Sequence, residues 1–146
     1  MQLTFTQDIK APIEKVFACA DEEEKQKLWM EGLVGTEYIG KYDPNQPVGT
    51  KFKQKIKEGG RVQEYDGEVT AYEKPRLLGV KLFNKMFSVD VRYRFTEISG
   101  GTRMQYDCEL TFHHWIARLM GSLFGWFTKR IFRKQMQAFK SLAESL

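Results

Sequence analysis

The sequence predicts an α+β fold: a strongly curved antiparallel sheet of about seven strands, two short helices inserted after the first strand, and a long C-terminal helix packed in the concave face. Three observations carry this. Residues 33–112 form consecutive stretches of alternating apolar and polar residues separated by short turn signals, the pattern of antiparallel strands with one dry and one wet face. Two short segments of helical period interrupt that pattern right after the first strand. Trp115 to Glu144 carries no proline and repeats its apolar residues at helical spacing, so it is the one long helix available to cover the dry face.

The first strand alternates Leu3, Phe5, Gln7 and Ile9 with Thr4, Thr6, Asp8 and Lys10. Pro12 then suits a first helical turn, where its missing N–H costs nothing, and Ile13, Val16, Phe17 and Ala20 recur at helical spacing. Asp21, with Glu24 three residues on, is placed to cap a second helix that runs to about Leu28 and Trp29.

A second strand covers roughly Val34 to Lys41, and its parity stays open. Glu37 faces the dry side in one of its two settings. After the loop at Asp43–Pro47, the third strand sets Phe52, Gln54 and Ile56 against Lys51, Lys53, Lys55 and Lys57, and Gly59-Gly60 signals a hairpin. The fourth places Tyr65, Gly67, Val69 and Ala71 on one side, with Glu73 on the same parity at the strand end. The fifth turns Leu78, Val80 and Leu82 inward. The sixth alternates Phe87, Val89, Val91, Tyr93 and Phe95 with polar residues, and the seventh does the same with Met104, Tyr106, Cys108, Leu110 and Phe112. A slip of one residue in these strands would drive rows of Lys, Asp and Arg into the core, so facing is well determined.

In the last helix the apolar arc is centred near Leu123 from Trp115 to Phe127 and near Gln135 from Ile131 onward. The offset falls just after Gly121 and Gly125, residues that weaken a helix interior by about 0.5–1 kcal/mol each. It implies a bend, or a helix that begins only near Gly121. The aromatics of this region are either irregular core or a lid at the mouth of a cavity.

At 146 residues the chain is expected to form one domain, residues 1–146, with no linker or repeat dividing it. The opening residues lack a secretory pattern and no 18-residue apolar run occurs, so a cytoplasmic location is expected. Cys19 and Cys108 fall on apolar faces of different elements without metal-ligand spacing, and read as reduced, buried thiols.

The net charge of +4 is unevenly placed. Residues 115–146 hold six basic side chains and one acidic one, and Lys129, Arg130, Arg133 and Lys134 form a compact cluster. This is either a solvated helix face or an attraction for an anionic ligand or membrane surface. No nucleic-acid motif or broad basic surface accompanies it.

The order of elements resembles the START / birch-pollen-allergen superfamily (helix-grip, SRPBCC) along essentially the whole chain. Pro12-Ile13-Glu14-Lys15-Val16-Phe17 opens the first helix as in that superfamily. Trp29, Gly49-Thr50-Lys51-Phe52, Gly67-Glu68-Val69, Lys74-Pro75-Arg76-Leu77 and Gly101-Thr102-Arg103-Met104 resemble its polyketide cyclase/dehydrase-like branch. The resemblance implies a helix-grip fold with a cavity, and covers lipid and hormone carriers, cyclases, aromatase subunits and co-chaperones. It transfers no single activity.

The inward set contains no Asp, Glu, Lys, Arg or His on strands three to seven, which leaves tyrosines, a thiol and an amide for any acid–base work. His113 and His114 are strand neighbours whose side chains diverge. No metal, phosphate-loop or nucleophile-elbow motif is present, so neither metal nor cofactor is expected. Candidate ligand contacts are Trp29, Phe52, Gln54, Tyr65, Phe87, Tyr93 and Tyr106, with Phe124 and Phe127 from the helix. They supply rigid apolar bodies with a few polar handles. The expected function is carriage, storage or sensing of a small hydrophobic or aromatic molecule by a monomer or weak dimer. A cyclase-like enzyme without metal or nucleotide, and a membrane or protein adaptor built on the basic helix, are the alternatives.

Overall fold

A computed structural model describes residues 2–85, 87–113 and 115–146, with the backbone alone over 115–128. The elements are β1 (Gln2–Ile9), α1 (Ile13–Asp21), α2 (Glu23–Trp29), β2 (Leu33–Ile39), β3 (Lys51–Glu58), β4 (Arg61–Glu73), β5 (Leu77–Phe83), β6 (Phe87–Ile98), β7 (Gly101–Phe112) and α3 (Trp115–Ser145). One antiparallel sheet has the order β1-β7-β6-β5-β4-β3-β2, so the α1–α2 connection carries the chain from one edge to the other. The predicted α+β fold is the one observed. Helix α3 is continuous from Trp115 and does not wait until Gly121.

The short family motifs turn out to be joints of the sheet. Thr102 is fully buried and its Oγ1 donates to the Ala11 carbonyl at 2.8 Å, fixing the exit of β1 to the start of β7. Gly101 beside it passes under the Ile9 carbonyl, where any Cβ would collide. Gly49 and Thr50 dock on β4 through Gly49 N to Val69 O at 2.8 Å and Val69 N to Thr50 O at 2.9 Å. The Lys74–Pro75 peptide is cis, and beyond it the Arg76 carbonyl accepts from Phe95 N at 2.8 Å.

Bulges settle the parity left open in β2 and correct the one expected at the end of β4. Between Leu33 and Gly35 the β2 register shifts, which brings Thr36 opposite Gln54 and Tyr38 opposite Phe52 on the inner face and turns Glu37 outward opposite Lys53. Between Val69 and Ala71 the β4 register shifts against β5, so Tyr72 and not Ala71 or Glu73 shares the inner face with Leu78. Regular alternation assumes a period of two throughout, and one extra residue reverses every side chain beyond it.

The concave face is filled unevenly. Helix α3 lies against β1, β7, α1 and α2, and α1 lies against β6 and β7. There Phe139, with no exposed surface, packs edge-on to Trp29 at 5.0 Å, and Phe17 packs edge-on to Phe95 at 5.8 Å. Gln7 of β1 reaches the Met136 carbonyl of α3 at 3.0 Å. Among the described residues no helix packs comparably on β3, β4 and β5, and their inner face is left to a cavity. The outer face is wet, with cross-strand pairs such as Asp8–Arg103 at 2.8 Å and Arg94–Asp107 at 2.9 Å.

Candidate functional site

The cavity follows from the registers. One inner row crosses the sheet as Phe5–Tyr106–Tyr93–Leu78–Tyr72, each residue directly opposite the next. A second runs Leu110–Val89–Leu82–Gly67–Phe52–Tyr38. Gly67 is required in that row, because a Cβ there would fall inside the Phe52 ring. A third brings Thr36, Gln54 and Tyr65 together. These rows, with Trp29 and Met30 at the end of α2 and Ile131, Phe132 and Gln135 of α3, enclose a cavity of about 240 Å³.

Trp29, Phe52, Gln54, Tyr65, Phe87, Tyr93 and Tyr106 all line it. The side chains of Phe124 and Phe127 lie outside the described residues, as does His114. His113 is exposed at the end of β7. The polar handles differ from those expected. The Trp29 indole N–H is already used, donating to the Cys19 carbonyl at 2.7 Å, so this residue offers the cavity only its ring. The Tyr65 hydroxyl donates to Glu58 Oε1 at 2.8 Å. Tyr93 and Tyr106 meet edge-on at 5.1 Å and are almost wholly buried.

Burial pushes the hydroxyls of Tyr65, Tyr72, Tyr93 and Tyr106 well above the usual tyrosine value. At neutral pH they are neutral hydrogen-bonding groups, and weaker acids than a free tyrosine.

Gln54 is the most exacting residue of the site. It is 5% exposed, its Nε2 reaches Thr36 Oγ1 only at 3.4 Å, and its Oε1 has no partner. A buried acceptor left unmatched costs about 1–3 kcal/mol, and buried polar groups are paired in the great majority of cases. Gln54 lines the cavity, but the unpaired oxygen is itself sealed from that space and would meet a donor there only after the amide turns.

Two carboxylates reach the cavity, which corrects the expectation of a face free of them. Glu58 continues the Phe52, Gln54, Ile56 alternation by one more step, a signal present in the sequence. Asp21 does not cap α2: it ends α1, the cap position is Glu22 with no side-chain bond, and the Asp21 carboxylate instead accepts from the Tyr72 hydroxyl at 2.9 Å. Burial raises the Asp21 carboxyl above its usual value, with the Tyr72 bond opposing. Tyr38 and Tyr42, stacked at 4.4 Å, complete this end of the cavity. Nothing in the alternation marked Tyr38, Tyr42 or Tyr72, since both bulges had to be known first. Among the described residues no three His, Cys, Asp or Glu side chains gather as a metal-ligand set.

The family model for polyketide cyclase / dehydrase and lipid transport proteins matches residues 1–144. The chain belongs to this family. A search of curated proteins by sequence finds no match. Among solved structures it is similar to a protein from Thermus thermophilus (14% identity, TM-score 0.76, covering 99% of this chain and 98% of that one). It is also similar to Ara h 8.0201 (14%, TM-score 0.71, 100% and 99%). A third is the di-domain ARO/CYC protein BexL of the BE-7585A biosynthetic pathway (15%, TM-score 0.75, covering 99% of this chain and 49% of that one). Likeness at these identities is a likeness of fold.

Proposed function

We propose that the protein binds a small hydrophobic or aromatic molecule in the cavity between the sheet and α3, for transport, storage or sensing. The observation that carries this is the aromatic-lined space of about 240 Å³ over β3, β4 and β5, with the buried amide of Gln54 in its wall. A core selected for stability alone would have replaced that amide by a hydrocarbon of the same shape. Family membership supports a ligand-binding reading, because carriers and cyclases alike need such a space. Candidate contacts are Trp29, Phe52, Gln54, Tyr65, Phe87, Tyr93 and Tyr106, with Phe124 and Phe127 proposed from α3. Any catalysis would work through neutral tyrosines that polarise a carbonyl or phenol by hydrogen bonding, and through positioning.

Titration with a fluorescent hydrophobic probe tests the reading. Stoichiometric binding that weakens in Tyr93→Ala and Tyr106→Ala, with smaller losses in the Phe variants, is expected. A folded protein that takes up no probe refutes it.

A second reading concerns the same helix. Lys129, Arg130, Arg133 and Lys134 are all exposed, next to Ile131 at 42% exposure. Each basic residue near an anionic bilayer contributes about 1 kcal/mol, so the four together favour peripheral attachment at low salt. No described helix is long and apolar enough to cross a membrane. Co-sedimentation with anionic vesicles that disappears when all four become Gln is expected.

A further inference from the structure

The charged side chains that line the cavity, among the described residues, have one sign in common. Of the described residues that line it none is Lys, Arg or His, while Asp21 and Glu58 are both carboxylates and Gln54 Oε1 is an unpaired acceptor. The protein as a whole carries +4, so this acidic lining is not a consequence of composition. Glu58 is exposed and already accepts from Tyr65, whereas Asp21 is half-buried and accepts from Tyr72.

Tyr72 donates to Asp21 Oδ2 at 2.9 Å and packs edge-on against Phe17 at 5.6 Å, which fixes its ring. Tyr38 and Tyr42 stack at 4.4 Å, and Tyr38 also meets the Phe52 ring at 6.3 Å. Both are partly exposed, at 38% and 40%, so they stand at an opening, not in the sealed core. Asp21, Tyr38, Tyr42 and Tyr72 all line the cavity, and Tyr72 bonds the carboxylate directly. Lys74 also acts on Asp21 but is not among the cavity-lining residues, and Glu22 adds a further negative charge. Burial of Asp21 has a cost, since it disfavours the ionised form, and Tyr72 supplies only one of the hydrogen bonds that a carboxylate can accept.

Ring faces attract cations and an ionised carboxylate attracts them more strongly, and the combination is the usual means of holding an ammonium group in a partly dry site. Among the described lining residues an anionic ligand would meet two carboxylates and no compensating base. Resting on the reading that the cavity binds a hydrophobic molecule, we propose that its ligand is a hydrophobic or aromatic amine. The protonated nitrogen would sit at Asp21 among Tyr38, Tyr42 and Tyr72, and the apolar body would lie along Phe52, Val80 and Tyr93. A second donor on such a ligand would satisfy Gln54 Oε1.

Three ligands of equal ring size separate this proposal from the reading beneath it: 1-ethylnaphthalene, 2-(1-naphthyl)ethylamine and 1-naphthaleneacetic acid. They are titrated calorimetrically into the full chain at about pH 7 and roughly 0.15 M salt. The amine should bind about tenfold or more tightly than the neutral compound, and the acid most weakly. In Asp21→Asn, where Tyr72 keeps an acceptor, the amine should lose about tenfold while the neutral compound is unchanged. Tyr42→Leu, at an exposed position outside the helices and strands, should lose part of the same preference and keeps the test decisive if Asp21→Asn folds poorly. Neutral binding equal to or tighter than the amine, tightest binding by the acid, or an amine preference that survives both substitutions overturns the amine proposal and leaves the cavity reading intact. Binding of none of the three overturns both.

Discussion

Replacing Gln54 by Met should stabilise the protein while weakening its ligand. The side chain is 5% exposed, with one hydrogen bond at the outer limit of length and one oxygen unpaired. An unsatisfied buried acceptor costs about 1–3 kcal/mol. Methionine has nearly the same length and no polar atom, and only the 3.4 Å bond to Thr36 is lost, worth about 0.5 kcal/mol at that geometry. Thr36 is itself half-buried and can turn its hydroxyl to water. The net expectation is a gain of about 1–2 kcal/mol in the ligand-free protein. Melting entropy for a chain of this size is about 0.3 kcal/mol/K, so Tm rises by roughly 3–6 °C. Urea unfolding should show a higher midpoint with an unchanged m-value, because the surface exposed on unfolding stays the same. Probe binding should fall about tenfold, the equivalent of one hydrogen bond in a dry site. A fall in Tm of about 3 °C or more would show that the amide is a satisfied part of the core, and the argument from Gln54 to a ligand would be lost.

Other substitutions read the remaining links. Phe139→Ala should cost about 3–5 kcal/mol in urea unfolding, since it removes the fully buried ring between Trp29 and Tyr93. Gly67→Ala should displace the Phe52 ring toward the cavity, costing about 1–3 kcal/mol by denaturation and lowering probe capacity in the same sample. Cys19 and Cys108 are both buried, and burial pushes the Cys108 thiol up to about 11, so neither should react with a water-soluble disulfide reagent near pH 8 until denaturant is added. Burial raises the Asp21 carboxyl, so its contribution to stability is fully present below the unfolded value of 3.8 and is lost as pH climbs through the folded value. The stability of Asp21→Asn relative to wild type, from paired urea titrations, should therefore grow from acid toward neutral pH.

The sheet was legible because its inner residues obey a period of two wherever the ladder is regular. Phe87 to Phe95 and Met104 to Phe112 are opposite one another as the alternation requires, and a slip would have buried Arg92, Arg94 and Asp107. Legibility failed where the period did. The bulge at Thr70 transferred Tyr72 to the inner face, and the one near Val34 decided between Glu37 and Tyr38; neither carries a glycine or proline at the bulged residue to announce it. Asp21 was misassigned for a different reason. Its position before Glu22, Glu23 and Glu24 fits a cap, but α1 runs one residue further and gives that side chain to Tyr72, a partner 51 residues away that local sequence cannot supply.

The errors concentrate in one region, and that is informative. Consistency between local preference and fold is what a stable core requires, so departures mark places where another demand prevailed. Both bulges, the uncapped start of α2, the unpaired Gln54 oxygen and the half-buried Asp21 carboxyl all belong to β2, β3, β4 and the α1–α2 junction, the elements that supply one wall of the cavity. Across the sheet, where α1 and α3 pack on β1, β6 and β7, the residues behave as hydrophobic packing predicts: Phe17, Phe139 and Met104 are fully buried, and Thr102 is hydrogen-bonded. One half of the molecule is therefore built for stability. The other retains polar groups that cost stability in the empty protein, a cost that the proposed ligand would offset.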